Sequence, residues 1–126
     1  MSRVLVIGCG GVASVAIQKC CQNSDVFTEM CIASRTKSQC DALAEKLAPV
    51  TKTKITTAQV DADDVNQLIA LMKEYQPDLV MNIALPYQDL TIMDAYFERV
   101  FLLKRYSSIK EVNISEIFFV FIIFVP

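Results

Sequence analysis

The sequence predicts an α/β fold in which a parallel β-sheet carries helices on both faces. Short apolar runs alternate with helix-forming segments, and this order is typical of βαβ units. The predicted strands are 3–7, 29–34, 54–60 and 79–83, and the predicted helices are 11–22, 38–47, 64–75 and 90–103. A second observation is that the 126 residues include only three glycines, Gly8, Gly10 and Gly11. Such clustering indicates one place where the backbone needs glycine.

The predicted elements have recognisable boundaries. Residues 3–7 are apolar and β-branched, so we expect a strand buried on both faces. Asn23-Ser24-Asp25 ends the first helix, and Pro49 follows the second. Asp63 or Asp64 is expected to cap the third helix.

Composition excludes several classes of function. A 53% apolar and 21% charged chain is typical of a globular protein, and its net charge of -2 gives no basic surface for nucleic acid. The absence of histidine excludes Ser-His-Asp and Cys-His catalysis and histidine-containing metal sites, so we assign no catalytic residue and no metal. The five cysteines form no C-x-x-C pair and no signal peptide is visible, which predicts a reducing, cytoplasmic setting. Buried or bystander cysteines are the expected role for all five.

The first strand and first helix are joined by Gly8-Cys9-Gly10-Gly11-Val12-Ala13, a G-x-G-x-x-A pattern. Gly8 permits a tight turn, Gly10 lets a pyrophosphate approach the backbone, and Ala13 lets the helix pack closely. The helix N-terminus adds amide donors for phosphate. This order predicts a Rossmann-type domain that binds a nicotinamide dinucleotide through Gly8, Gly10, Gly11, Val12 and Ala13. The alternative is a glycine turn without a ligand.

The end of the second strand indicates which dinucleotide is bound. Enzymes that use NAD normally have Asp or Glu there to bind the ribose 2′-hydroxyl. This chain has Ser34-Arg35-Thr36-Lys37 instead. Arg35 can pair with a 2′-phosphate, Ser34 and Thr36 can donate hydroxyl hydrogen bonds, and Lys37 adds charge. These residues favour NADP (NADPH) over NAD, the alternative being an ordinary basic loop.

Two further strand ends are expected to contact the dinucleotide. Asp61 follows the third strand, near the expected position of the adenine, although a helix N-cap is an equally good interpretation. Asn82, Ala84 and Pro86 follow the fourth strand and are candidates to line the nicotinamide–ribose side. Their alternative role is a structural strand-to-helix turn.

The last 31 residues differ in composition from the rest of the chain. Six of the seven phenylalanines lie in 96–126, and residues 117–125 are nine consecutive apolar residues. A membrane helix needs about 20 such residues, so no bilayer span is predicted. A buried fifth strand, an ill-packed or artificial end, and peripheral membrane contact are the alternatives. We therefore expect a dinucleotide-binding domain at 1–95 and a divergent apolar tail at 96–126.

Four motifs together resemble the N-terminal cofactor domain of the saccharopine dehydrogenase-like family. They are residues 4–13, 32–36, 75–82 and 90–95, in that order. The resemblance implies an enzyme of polyamine synthesis that reduces the imine formed from aspartate semialdehyde and a diamine, with NADPH as the hydride donor. In that family a catalytic and substrate-binding domain comes after the cofactor domain, and this chain departs from the pattern after Ala95. The resemblance thus implies a truncated or frame-shifted form that lacks turnover by itself.

Two other classes of function are compatible with the sequence. One is a free-standing nucleotide-sensing Rossmann module, although such modules usually carry an acid where this chain has Ser34-Arg35. The other is an assembly protein whose apolar tail supplies a strand to a homodimer.

Overall fold

A computed structural model of the protein describes residues 2–84, 90–95, 98 and 118–121. These residues form a five-stranded sheet in the order β3-β2-β1-β4-β5, in which all neighbouring strands are parallel. The elements are β1 (Ser2–Ile7), α1 (Gly11–Cys21), β2 (Phe27–Ser34), α2 (Lys37–Leu47), β3 (Lys54–Gln59), α3 (Val65–Tyr75), β4 (Leu79–Asn82) and β5 (Phe118–Phe121). The predicted α/β fold is confirmed. The largest shift in a strand boundary is at β2, which begins two residues earlier than predicted.

The central strand β1 contributes side chains to two hydrophobic cores. Leu5 and Ile7 pack on one face of the sheet with residues of α3. Val4 and Val6 pack on the other face with residues of α1 and α2. All four are at most 1% exposed, so the expected burial of this strand on both faces is confirmed. Each such side chain stabilises the fold by roughly 1.5–3 kcal/mol.

Helix α3 shows how local sequence sets an element boundary. The Asp64 carboxylate accepts hydrogen bonds from the backbone N–H groups of Asn66, at 3.0 Å, and Gln67, at 3.3 Å. Asp64 is thus the N-cap among the two predicted candidates, and it satisfies amides that have no partner within the helix. The helix ends at Tyr75, and its C-cap residue, Gln76, adopts a left-handed conformation with φ 52°.

The end of β1 depends on glycine at position 8. Gly8 has φ +117°, a conformation that side-chain-bearing residues rarely adopt. A Cβ atom there would lie 2.9 Å from the backbone of Ile83 and Ala84 after β4. The Gly8 amide also donates a hydrogen bond of 2.8 Å to the Ala33 carbonyl at the end of β2. Three strand ends therefore converge on this residue.

The C-terminal part of the chain is described only in places. Residues 90–95 are helical, as is Glu98, and the remainder of the helix predicted to run to 103 lies outside the described residues. Within the tail, β5 runs parallel to β4 and pairs Phe118 with Leu79. Among the helices of the described part of the chain, none is long and apolar enough to cross a membrane.

We predict that Gly8→Ala lowers the free energy of unfolding by about 2–4 kcal/mol, because it combines a disfavoured φ with a steric clash. Gly11→Ala is the matched control, since a Cβ at Gly11 meets no atom of the described residues within 4 Å and alanine favours a helix by up to about 1 kcal/mol. Urea unfolding measures both variants. Equal midpoints for the two variants would contradict the role assigned to Gly8.

Candidate functional site

A cleft of about 260 Å³ lies at the carboxyl edge of the sheet. Parallel strands place their carboxyl ends at one edge, so the loops that follow them meet there. The cleft is lined by residues from the ends of β1 to β4 and the start of α2: Ile7, Gly8, Cys9, Gly10, Ser34, Arg35, Thr36, Gln39, Val60, Ala62, Ile83 and Ala84. Six of the predicted cofactor-binding residues line this cleft. Five follow β1 and β2 (Gly8, Gly10, Ser34, Arg35 and Thr36), and the sixth, Ala84, follows β4.

The first turn of α1 faces the glycine side of the cleft. Gly10 is the N-cap, and the first intrahelical bond runs from the Ser14 amide to the Gly10 carbonyl at 2.9 Å. The amides of Gly11, Val12 and Ala13 precede that bond, so they point out of the helix end. Within the described part of the chain, a Cβ at Gly10 would meet no atom within 4 Å. Ala13 is 1% exposed and packs in the core beside Val4 and Val6, which fits the predicted close approach of helix and sheet.

A compact turn follows β2. The Ser34 hydroxyl donates to the Thr36 carbonyl at 3.1 Å and accepts from the Thr36 amide at 3.2 Å. The Arg35 carbonyl accepts a 3.2 Å hydrogen bond from the Gln59 side chain at the end of β3. The backbone of this turn is therefore held from two sides, while Arg35 and Thr36 are exposed at the cleft.

Lys37 is positioned differently from Ser34, Arg35 and Thr36, with which it was predicted to bind the 2′-phosphate. Its Nζ lies 3.1 Å from both carboxylate oxygens of Asp41, one turn along α2. The Thr57 hydroxyl donates to the same carboxylate. This hydrogen bond, and then the Lys37 ammonium, lower the pKa of Asp41. Lys37 is outside the set of residues that line the cleft.

The loop after β3 brings Ala62, rather than the Asp61 side chain, to the cleft wall. The Asp61 amide donates to Gln67 Oε1 at 3.0 Å, and its carboxylate accepts from the Asp63 amide at 3.0 Å. Asp61 therefore shapes the loop before α3, whose N-cap is Asp64. The alternative interpretation of Asp61 as that N-cap is wrong.

Asn82 is buried at the end of β4, with 6% of its surface exposed. Its Oδ1 accepts a 3.0 Å hydrogen bond from the Ala84 amide, which turns the chain at the cleft. Ala84 itself lines the cleft. Pro86 lies outside the described residues.

Among the residues near the cleft that were not predicted as site residues, three have side chains that can form hydrogen bonds: Cys9, Gln39 and Gln59. Cys9 and Gln39 line the cleft, and Gln59 supports the Arg35 carbonyl. Cys9 is the variable residue of the glycine motif, and Gln59 is a polar residue at the end of a strand. Those positions could have identified Cys9 and Gln59 from the sequence. The expectation that all five cysteines are buried or bystanders kept Cys9 out of the predicted site.

Cys9 packs against the hydrophobic core that contains Cys40 of α2. Burial, followed by the nearby Cys40, raises the pKa of Cys9 to about 11. Cys40 is fully buried, and its Sγ lies 3.2 Å from Ser34 Oγ. Cys40 therefore joins helix α2 to the turn after β2.

The strand order, the glycine-rich turn from β1 into α1 and the cleft above it define a Rossmann-type dinucleotide-binding domain. Residues 4–102 match the model of the saccharopine dehydrogenase NADP-binding domain. The chain belongs to this family, and NADP is the dinucleotide that the domain binds. The prediction of NADP over NAD is confirmed.

Curated relatives are similar over the same region. The carboxyaminopropylagmatine dehydrogenase of Synechocystis is 43% identical over 98 residues, which cover 78% of this chain and 24% of that protein. The carboxynorspermidine synthase of Vibrio alginolyticus is 41% identical over 100 residues, covering 75% of this chain and 24% of that protein. The chain thus spans about a quarter of the length of these relatives.

Solved structures share the fold. The UDP-glucose-4-epimerase of Stenotrophomonas maltophila with bound NAD has a TM-score of 0.65 at 19% identity, covering 79% of this chain and 34% of that one. A short-chain dehydrogenase from Sphingobium yanoikuyae in complex with NADPH has a TM-score of 0.57 at 16% identity, covering 85% and 48%. At these identities the similarity concerns the fold alone.

We predict that Cys9 is alkylated about 100-fold more slowly in the folded protein than in the urea-unfolded chain at pH 7. The thiolate is the reactive form, and the folded pKa of about 11 compares with an ordinary value of 9.0. The folded-state rate should rise about tenfold per pH unit until the pH approaches that pKa. Iodoacetamide labelling followed by peptide mass spectrometry measures the rate at Cys9. A rate at pH 7 that is equal in the two states would contradict the raised pKa.

Proposed function

We propose that this chain is the NADPH-binding part of a reductase that acts on the imine formed from aspartate semialdehyde and a diamine, in polyamine synthesis. The observation that carries the proposal is Arg35 at the carboxyl end of β2, exposed beside a cleft whose opposite side is the glycine loop. A dinucleotide with a 2′-phosphate matches both ends of such a cleft. The Arg35 guanidinium can bind the 2′-phosphate through paired hydrogen bonds, and the glycine loop can accept the pyrophosphate.

The protein's own packing explains Gly8 but not Gly10. A Cβ at Gly8 would collide with the backbone beyond β4, whereas a Cβ at Gly10 would meet none of the residues that the structure describes within 4 Å. We infer that the requirement for glycine at position 10 comes from the ligand. A pyrophosphate seated over Gly10 would accept hydrogen bonds from the amides at the start of α1, which carry the positive end of the helix dipole.

The remaining contacts follow the cleft outward from the pyrophosphate. Arg35 and Thr36 are proposed to bind the 2′-phosphate, with Ser34 holding the turn in shape. Ala62 is proposed to flank the adenine, and Asp61 to fix the loop that carries it. At the other end, Ala84 is proposed to face the nicotinamide ribose, with Asn82 setting its backbone.

The proposed reaction is supported by the names of the relatives. Two of them are a carboxyaminopropylagmatine dehydrogenase and a carboxynorspermidine synthase. NADPH, when bound, supplies the hydride that reduces a C=N bond. The contribution proposed for this chain is to hold the dinucleotide at the strand ends, where the reacting carbon of a substrate can be aligned with it.

We further propose a domain division, a cellular setting and an assembly for this chain. Residues 1–95 form the dinucleotide-binding domain and 96–126 a divergent tail. The family match over 4–102 supports the first of these two assignments. The setting is the reducing cytoplasm, supported by five free cysteines. A homodimer formed through the tail is the assembly to test by static light scattering.

We predict that the chain binds NADPH at least tenfold more tightly than NADH, a difference of about 1.4 kcal/mol. Arg35→Ala should remove most of this preference, because it deletes the guanidinium and keeps the backbone carbonyl that Gln59 holds. Lys37→Ala is the matched control and should change the preference less than threefold, because Lys37 is paired with Asp41. Calorimetric titration with NADPH, NADH and ATP gives the affinities. Equal preference in wild type and Arg35→Ala would refute the assignment, and tightest binding of ATP would favour a nucleotide-sensing module.

We predict that residues 1–100 of this chain can replace the matching segment of the Vibrio alginolyticus relative. The chimera should oxidise NADPH in the presence of aspartate semialdehyde and a diamine. A chimera carrying Gly10→Val should fold but lose this activity, because a branched side chain would occupy the space proposed for the pyrophosphate. A folded chimera that binds NADPH and reduces no imine would overturn the proposed reaction but not the cofactor assignment.

A further inference from the structure

We propose that Gln39 is a specificity-determining residue of the cleft, and that its side-chain amide donates a hydrogen bond to the 2′-phosphate beside Arg35. This role rests on the proposed function and adds to it a residue outside the glycine motif and outside the basic turn after β2. Gln39 is the third residue of α2, after Lys37 and Ser38.

Gln39 shares the wall of the cleft with the residues that follow β2. Gln39, Arg35 and Thr36 all line the cleft, and all three are exposed. Lys37 and Ser38 belong to the same turn of α2 but are outside the set of lining residues. Because a side chain three residues after the N-cap can reach back to the N-cap, Gln39 is within reach of the space around Thr36.

Residues 36–39 have the T-x-x-Q pattern of a capping box, but the backbone partner that Gln39 would take in such a box is already used. In a capping box the side chain of the third helical residue binds the backbone amide of the N-cap residue. Here the amide of the N-cap residue Thr36 donates to the Ser34 hydroxyl at 3.2 Å. The Thr36 side chain forms no cap hydrogen bond either. Both side chains of the pattern are therefore left for a ligand in the cleft.

The chemistry of the Gln39 side chain fits a phosphate that Arg35 already holds. Among the residues that the structure describes, the Gln39 side-chain amide has no hydrogen-bond partner. Its Nε2 carries two N–H donors. A 2′-phosphate presents three acceptor oxygens, and the paired hydrogen bonds of one guanidinium occupy two of them. Lys37 is paired with Asp41 at 3.1 Å, so we assign the third oxygen to Gln39.

Two substitutions of Gln39 test this role by calorimetric titration of the full chain with NADPH and NADH. Gln39→Ala should weaken NADPH binding about tenfold, the loss expected for one hydrogen bond to a charged oxygen. Gln39→Glu should weaken it about 100-fold, because a carboxylate donates no hydrogen bond and repels the phosphate. Neither variant should change the affinity for NADH more than about twofold, since NADH has no 2′-phosphate. Urea midpoints show that the variants are folded.

Two control variants and two smaller ligands sharpen the test. Ser38→Ala removes a polar side chain from the same turn, and Gln22→Glu adds the same negative charge at the C-cap of α1. Both should leave the NADPH affinity within about twofold of the wild type, because neither residue lines the cleft. Adenosine 2′,5′-bisphosphate should lose affinity in the Gln39 variants as NADPH does, whereas adenosine 5′-monophosphate should not.

Three outcomes would overturn the role of Gln39, and they separate it from the proposed function. Equal losses for NADPH and NADH would mean that Gln39 contacts the adenosine rather than the phosphate. Unchanged NADPH affinity in both Gln39 variants, with Arg35→Ala still weakened, would remove Gln39 from the site and leave the proposed function intact. A wild type that binds NADPH no more tightly than NADH would refute the assigned cofactor and the role of Gln39 together.

Discussion

The alternation of side chains along β1 is the constraint on which both layers of the molecule depend. Successive residues of this strand point to opposite faces of the sheet, so one tetrapeptide, residues 4–7, belongs to two cores. Helices α1 and α2 cover one face and α3 covers the other. Because β1 also pairs with β2 and β4, its position determines where the carboxyl ends of those strands meet and hence where the cleft lies.

Much of the fold was predictable because its signals are local. The apolar run at 3–7, the glycine motif after it and the Asp64 cap each act within a few residues. The Arg35 position was predictable for the same reason, since it follows a strand in a known pattern. The cofactor class could therefore be inferred before any contact between distant residues was known.

The rest of the site depends on contacts between distant residues. The pairing of Ser34 with Gln59 brings the Gln59 amide to the Arg35 carbonyl. Helix α2 places Asp41 where its carboxylate pairs with the Lys37 ammonium, and Cys40 where its thiol contacts the Ser34 hydroxyl. The sequence pattern predicts Lys37 as a phosphate-binding residue. The Asp41 carboxylate that pairs with it instead is itself held by Thr57, a contact that forms only when α2 packs on β3.

The close approach at Gly8 also solves a problem that the composition of β1 creates. A strand that is apolar on both sides has no polar face to penalise a slip of one residue in its pairing, so hydrophobic patterning gives weak control of register. A slip of one residue would bring Ile7 or Cys9 to the position of Gly8, where any Cβ lies 2.9 Å from the backbone beyond β4. Because only glycine fits at this position, Gly8 disfavours shifted registers of β1 on steric grounds. The same residue that begins the loop after β1 therefore also disfavours misfolded sheets.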